Sequence, residues 1–222
     1  MYKSVIGVAV IVTIIGLLIA GCSRPQGSES FRIASVNAEE AFTVFLQAVQ
    51  EQRDKAAEKE REGQLLQQQY MNGLMSKDEF EDRYSQLLVE KLEANLNISV
   101  AALNKMISSD HFEDMRAYLE QLKAAADPLI KNVGELVAAV QIGALDRQEL
   151  QERYLAAGTE YTKFEQLLSE SAKNKIDQAA GEVAKAEGYD LVLRSREVIA
   201  YVDSGKITDI TDLVKEKLAE YF

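Results

Sequence analysis

The chain has 222 residues, 27% of them charged, and a formal net charge of −11, so concentrated Lys and Arg for phosphate are lacking and nucleic acid is excluded as the main ligand. One cysteine and one histidine leave no intramolecular disulfide, no Cys-rich or His-pair metal site and little imidazole chemistry. Only 12 Gly and 2 Pro, with Ala, Leu, Glu, Gln and Lys abundant, point to long helices, and 7% aromatic content limits the core.

The chain opens with Lys3 and an apolar run from Val5 to Ala20. A spanning helix wants about 20 apolar residues, so the run is short for a permanent anchor. A basic start, an apolar stretch and then small residues is the order of an export signal, read here as residues 1–21. The junction Ile19-Ala20-Gly21-Cys22 resembles the lipobox of bacterial lipoproteins, which makes Cys22 the expected lipid-attachment residue. The bland alternative is an uncleaved anchor with an incidental cysteine. Residues 22–30 read as a flexible polar tether. Ser23 follows the cysteine, where an Asp would favour inner-membrane retention, so the outer membrane is the expected side.

Residues 38–187 read as helical arms: two hairpins of about 38–107 and 110–187. "GLMSKDEFEDRY" from Gly73 and "GALDRQELQERY" from Gly143 share one design. Each has a helix-stopping Gly, a cap residue (Ser76 or Asp146) and a Glu three positions later (Glu79 or Glu149). The middle of the first arm, "EQRDKAAEKEREGQ", is polar, and Gly63 is expected to weaken it. Phe80, Tyr84, Leu88 and Leu92 form a loose stripe. A break at Ser108-Ser109-Asp110 precedes the clearest seam, Phe112, Met115, Leu119, Leu122, Ala126, Leu129, Val133, Leu136 and Val140, whose steps alternate three and four. The seam stays in phase across Pro128, which predicts a kink rather than a restart. Leu150, Tyr154, Ala157, Tyr161, Phe164 and Leu168 form another seam. Helix-on-helix core is the expected use of all three, and His111, flanked by Asp110 and Glu113, reads as a solvated residue near a helix start.

Residues 31–37 and 188–222 read as one β-containing body. "FRIASV" (31–36), "YDLVL" (189–193) and "VIAYV" (198–202) are strand candidates, Gly188 ends the long helix, and Thr211 or Asp209 caps a last helix. Three short strands leave open edges and too little core for a free domain, so the body should oligomerise.

The order "FRIASVNAEEAF", long helices, then "VAKAEGYDLVLRSREVIAYVDSGKITDITDLVKEKL" resembles the Skp/OmpH periplasmic chaperones. The resemblance implies a mainly α fold with a small β body: coiled-coil-like arms attached to a small β-barrel-type assembly domain, shared in a homotrimer. It also implies an ATP-independent holdase for unfolded outer-membrane proteins in the periplasm. Two features depart from the family: a second hairpin, and an acidic charge where the best-known members are basic. No Gly-x-x-x-x-Gly-Lys-Ser/Thr stretch is present. The competing reading is a structural or adaptor coiled-coil lipoprotein of the envelope. Carboxylates lie on solvated helical faces without His, Cys or Ser partners, so no catalytic, cofactor or metal residues are assigned; the client-contacting residues are not legible.

Overall fold

The computed structural model describes residues 31–194 and 206–222. Six α-helices and three short strands follow in the order β1 (Ile33–Ser35), α1 (Ala38–Gln47), α2 (Gln50–Met71), α3 (Lys77–Ser108), α4 (Arg116–Gln141), α5 (Arg147–Glu187), β2 (Leu191–Leu193), β3 (Ile207–Asp209) and α6 (Thr211–Ala219). A 3-10 turn, Asp110–Met115, joins α3 to α4.

The helix ends follow from local chemistry. Gly73 and Gly143 adopt φ values of 71° and 63°, open to glycine but strained for other residues. Each lets the chain close the same cap: Leu74 N–H donates to Gln69 O and Gly73 N–H to Tyr70 O, while Ala144 donates to Ala139 O and Gly143 to Val140 O. The next helix then starts on a side-chain acceptor. Ser76 Oγ accepts from Glu79 N–H at 3.2 Å, and Asp146 Oδ1 from Glu149 N–H at 2.9 Å. The repeated motif is therefore the same stop-and-start built twice.

Four features differ from the reading of the sequence or sharpen it. The first arm is broken near Ala48 and Val49, where Ala48 closes one helix and the buried Val49 opens the next. Gly63 is buried, and a Cβ there would meet Leu87 Cδ2 at 3.1 Å, so its lack of a side chain lets α2 approach α3. Pro128 lies inside one continuous α4 on its exposed side, so the helix does not restart. Finally, "SGKITDIT" contributes a strand, β3, and not only the approach to α6; the candidate strand 198–202 lies outside the described residues.

Packing puts the two hairpins side by side. Helix α3 packs against α2, α4 and α5, and α4 packs against α5. Leu96, Leu103 and Met106 of α3 meet the α4 seam, of which Leu119, Leu122, Ala126, Leu129, Val133, Leu136 and Val140 are buried and Met115 is half-buried. The α5 seam contributes Ala157, Phe164 and Leu168 as buried residues and Leu150, Tyr154 and Tyr161 as half-buried ones. Burying each large aliphatic side chain contributes about 1.5–3 kcal/mol. The seams are core. At 1.5 Å per residue, the 41 residues of α5 extend about 60 Å.

At the base, β1 lies between β2 and β3 in a parallel sheet ordered β2-β1-β3. Both of its partners come from the C-terminal segment. Asn37 caps α1 through Oδ1 and donates its own N–H to Thr211 Oγ1 at 2.9 Å, while Asp209, one residue before the Ile210 N-cap of α6, accepts from Thr211 N–H. Arg32 donates to Glu187 O at 2.6 Å beside the left-handed Gly188 and stacks over Tyr189, which places a cation at the negative end of α5. Helices α1, α5 and α6 pack together beneath the sheet.

Candidate functional site

Where the helical bundle meets the base, Phe112 is fully buried and packs edge-on against Phe45 and Tyr221, with Phe222 beside it. Lys175 sits against this cluster, 2% exposed. Its Nζ donates to Asp114 Oδ1 at 2.6 Å and to Gln178 at 2.7 Å and lies 5.3 Å over the Phe112 ring. A buried ammonium needs such partners, and here they tie α5 to the turn joining α3 and α4. His111 is exposed, as the sequence implied, and its ring stacks on Tyr221 at 4.4 Å. This cluster is a structural junction, with the Lys175 ammonium taken up by Asp114 and Gln178.

Beside it, an open cleft of about 670 Å³ is lined by Val36, Ala38, Phe42, Lys173 and Arg194. Arg194 is committed to Asp177 through two donors. A second, polar groove of about 550 Å³ separates the first half of α2 from α3, between Lys55 and Asn97. The ion pair Lys59–Glu90 crosses it, and Lys91–Glu60 also joins α2 to α3. The Glu90 hydrogen bond holds Lys59 above its ordinary pKa. No group of residues with metal-ligand chemistry occurs among the described residues.

The opposite end of the bundle is different. Arg147, first residue of α5, donates to Glu81 and, at 2.8 Å, to Asp82, both in the second turn of α3. The hydrogen bond to Asp82, with the charges of Glu81, Asp82 and Asp78, holds Arg147 above its already high pKa. The clamp brings the two interhelical turns to the same end. Tyr70, Phe80 and Tyr84 stack in sequence there, with centroids 4.4 and 5.3 Å apart. The stripe read from Phe80 and Tyr84 thus leaves the core near the turn and closes on Tyr70. Around it the largest apolar exposures of the arms accumulate: Met71 at 70%, Leu74 at 74% and Ile142 at 79%. The seams towards the base leave few such groups, because α3 covers them. Large apolar side chains are thus exposed on both turns at this end.

Cys22 lies outside the described residues. Among the described residues no helix is long and apolar enough to cross a membrane. The turn residues were not singled out as contacts from sequence. The available signal was that both repeated turns place an apolar residue next to the Gly segment, Met71 and Leu74 in one and Ile142 in the other.

A family model described as "Outer membrane protein (OmpH-like)" matches residues 111–218. It begins at the 3-10 turn and takes in α4, α5, the two C-terminal strands and nearly all of α6. The first hairpin and "FRIASVNAEEAF" lie outside it, although β1 is the centre of the sheet. Comparisons with curated proteins and with solved structures give no significant match. Residues 111–218, the second hairpin and most of the C-terminal base, are thus similar to the OmpH-like family.

Proposed function

We propose that this chain is an ATP-independent holdase that binds unfolded outer-membrane proteins in the periplasm. The OmpH-like match over residues 111–218 carries the reading, since that family is associated with periplasmic chaperones of outer-membrane proteins. The arms support it. They expose apolar side chains without a catalytic constellation, which suits many weak, reversible contacts. In the same reading the base assembles as a homotrimer. Among the described residues β2 and β3 are the outer strands, and other copies would extend the sheet from its edges into a small barrel. Export through residues 1–21 and lipid attachment at Cys22 would then hold the body near a membrane, the outer one by the Ser23 argument, through the tether of residues 22–30.

The test is selectivity. The mature protein should bind a urea-denatured outer-membrane barrel saturably on dilution and ignore the folded form of the same barrel. Binding of neither form contradicts the holdase. Lipidation has its own readout: Cys22→Ser should fold normally and leave the membrane fraction, whereas persistent membrane binding would identify an uncleaved anchor.

One observation favours a second reading. The first hairpin lies outside the family match yet packs along the matched one through α3. An adaptor that spaces a folded partner from the membrane would use such a thickened arm, and one stoichiometric folded partner in an envelope pull-down would select it.

A further inference from the structure

The turn end of the bundle joins two properties. Met71, Leu74 and Ile142 are among the most exposed large apolar residues of the described chain, on turns that the Arg147 clamp draws to one end. The polar groups around them are mainly acidic. Asp78, Glu79, Glu81 and Asp82 follow the first turn, and Asp146 and Glu149 flank the second. The cations present are already engaged: Lys77 with Glu81, Arg147 with Glu81 and Asp82, Arg153 with Glu149. Arg83 lies along the groove between α2 and α3. Those ion pairs use Glu81, Asp82 and Glu149 as well, and Asp78 and Glu79 stand outside them, so the apolar cap is ringed by a net negative charge.

We infer that this end is a docking surface for extended polypeptide segments in which apolar residues are flanked by Lys or Arg. The apolar residues of such a segment cover Met71, Leu74 and Ile142, and its cations meet the carboxylate ring. Charge complementarity selects this occupant. An anionic lipid surface is repelled by the ring, and a second copy brings the same carboxylates to the contact. The inference rests on the holdase reading and names where, and for which segments, part of the binding occurs. The hydrophobic term gives affinity; the charge term gives preference and salt dependence.

The experiment uses the mature full-length chain with Cys22→Ser, and two synthetic peptides sharing one apolar core, flanked by lysines or by glutamates. Fluorescence anisotropy should show the lysine-flanked peptide binding about tenfold tighter or more at low salt, with the preference shrinking at high salt. The Met71→Ser, Leu74→Ser, Ile142→Ser triple variant changes exposed positions only and should keep its circular dichroism spectrum. It should lose about tenfold in affinity for the lysine-flanked peptide. Asp78→Asn with Glu79→Gln should reduce the preference for lysine and keep the apolar contribution. Equal affinity for both peptides, or full binding by the triple variant, overturns the inference. Loss by the triple variant of flotation with phosphatidylglycerol vesicles, or of oligomer mass in sedimentation, with peptide binding unchanged, overturns it in favour of lipid or a second copy. If the triple variant still binds the denatured barrel at full affinity, the docking surface fails and the holdase stands. If the unaltered chain binds no denatured barrel, the holdase fails by itself.

Discussion

Lys175 places an ammonium among apolar side chains, and its neighbours decide what that costs. It is 2% exposed, while its partner Asp114 is 60% exposed and reaches in from the turn. Removing the carboxylate leaves a buried charge without its counter-ion; removing the charge lets the site pack as hydrocarbon. Asp114→Ala should therefore lower unfolding stability by about 1–2 kcal/mol, a value discounted for the solvent at Asp114, whereas Lys175→Met should lie within about 1 kcal/mol of the parent. Urea denaturation of both variants checks the order; equal losses would contradict it. Tyr161 gives the residue-scale pH effect. Burial raises its phenol pKa above the ordinary 10.0, opposed by the Ser99 hydroxyl at 3.4 Å. The folded chain thus holds this proton after the unfolded chain has released it. The contribution to stability is complete below the unfolded value and is lost as pH rises through the raised one. Stability should decline above about pH 10, with Tyr221 and the paired lysines shifted in the same sense, and Tyr161→Phe should flatten part of the decline. Thermal melts across that range report it.

Among the elements, helix starts and stops were the most legible, because each depends on a few adjacent residues. A glycine, a short polar acceptor and a glutamate at fixed spacing were enough to place both turns. The α4 seam was legible for the same reason: steps of three and four persist whatever the partner. Strand β3 was not, because three residues beside a helix cap carry no period. Nor was the clamp between Arg147 and Glu81, which joins residues from different repeats, or the burial of Lys175, whose neighbours in sequence look solvated. At Gly63 the cost in helix propensity was legible and its packing was not: a Cβ there would press on Leu87 Cδ2 at 3.1 Å, a contact between residues far apart in the sequence. Pro128 tests how the α4 helix tolerates its defect. The proline removes a backbone donor from a continuous helix on an exposed face, and no core contact depends on its ring. Pro128→Ala should raise stability by about 1 kcal/mol or more. A loss in differential scanning calorimetry would mean that the proline geometry is needed to keep the two halves of the seam in register.

For the whole molecule, the sheet and the arms answer different needs. The sheet gathers both ends of the described chain around β1, so the arms start and finish at one place. The hairpins lie together, which gives the OmpH-like pair α4 and α5 a third helix, α3, along its apolar face. This arrangement confines exposed large apolar groups in the arms chiefly to the outer faces and the turn end. A holdase of this build would meet clients at solvent-facing surfaces rather than by opening its core, and would need no nucleotide to release them. The most direct measurement is light scattering from a urea-denatured outer-membrane barrel protein diluted into buffer with the mature chain. Stoichiometric chain, without nucleotide, should hold scattering near its starting level. Aggregation at the same rate and amplitude as without the chain would contradict the account.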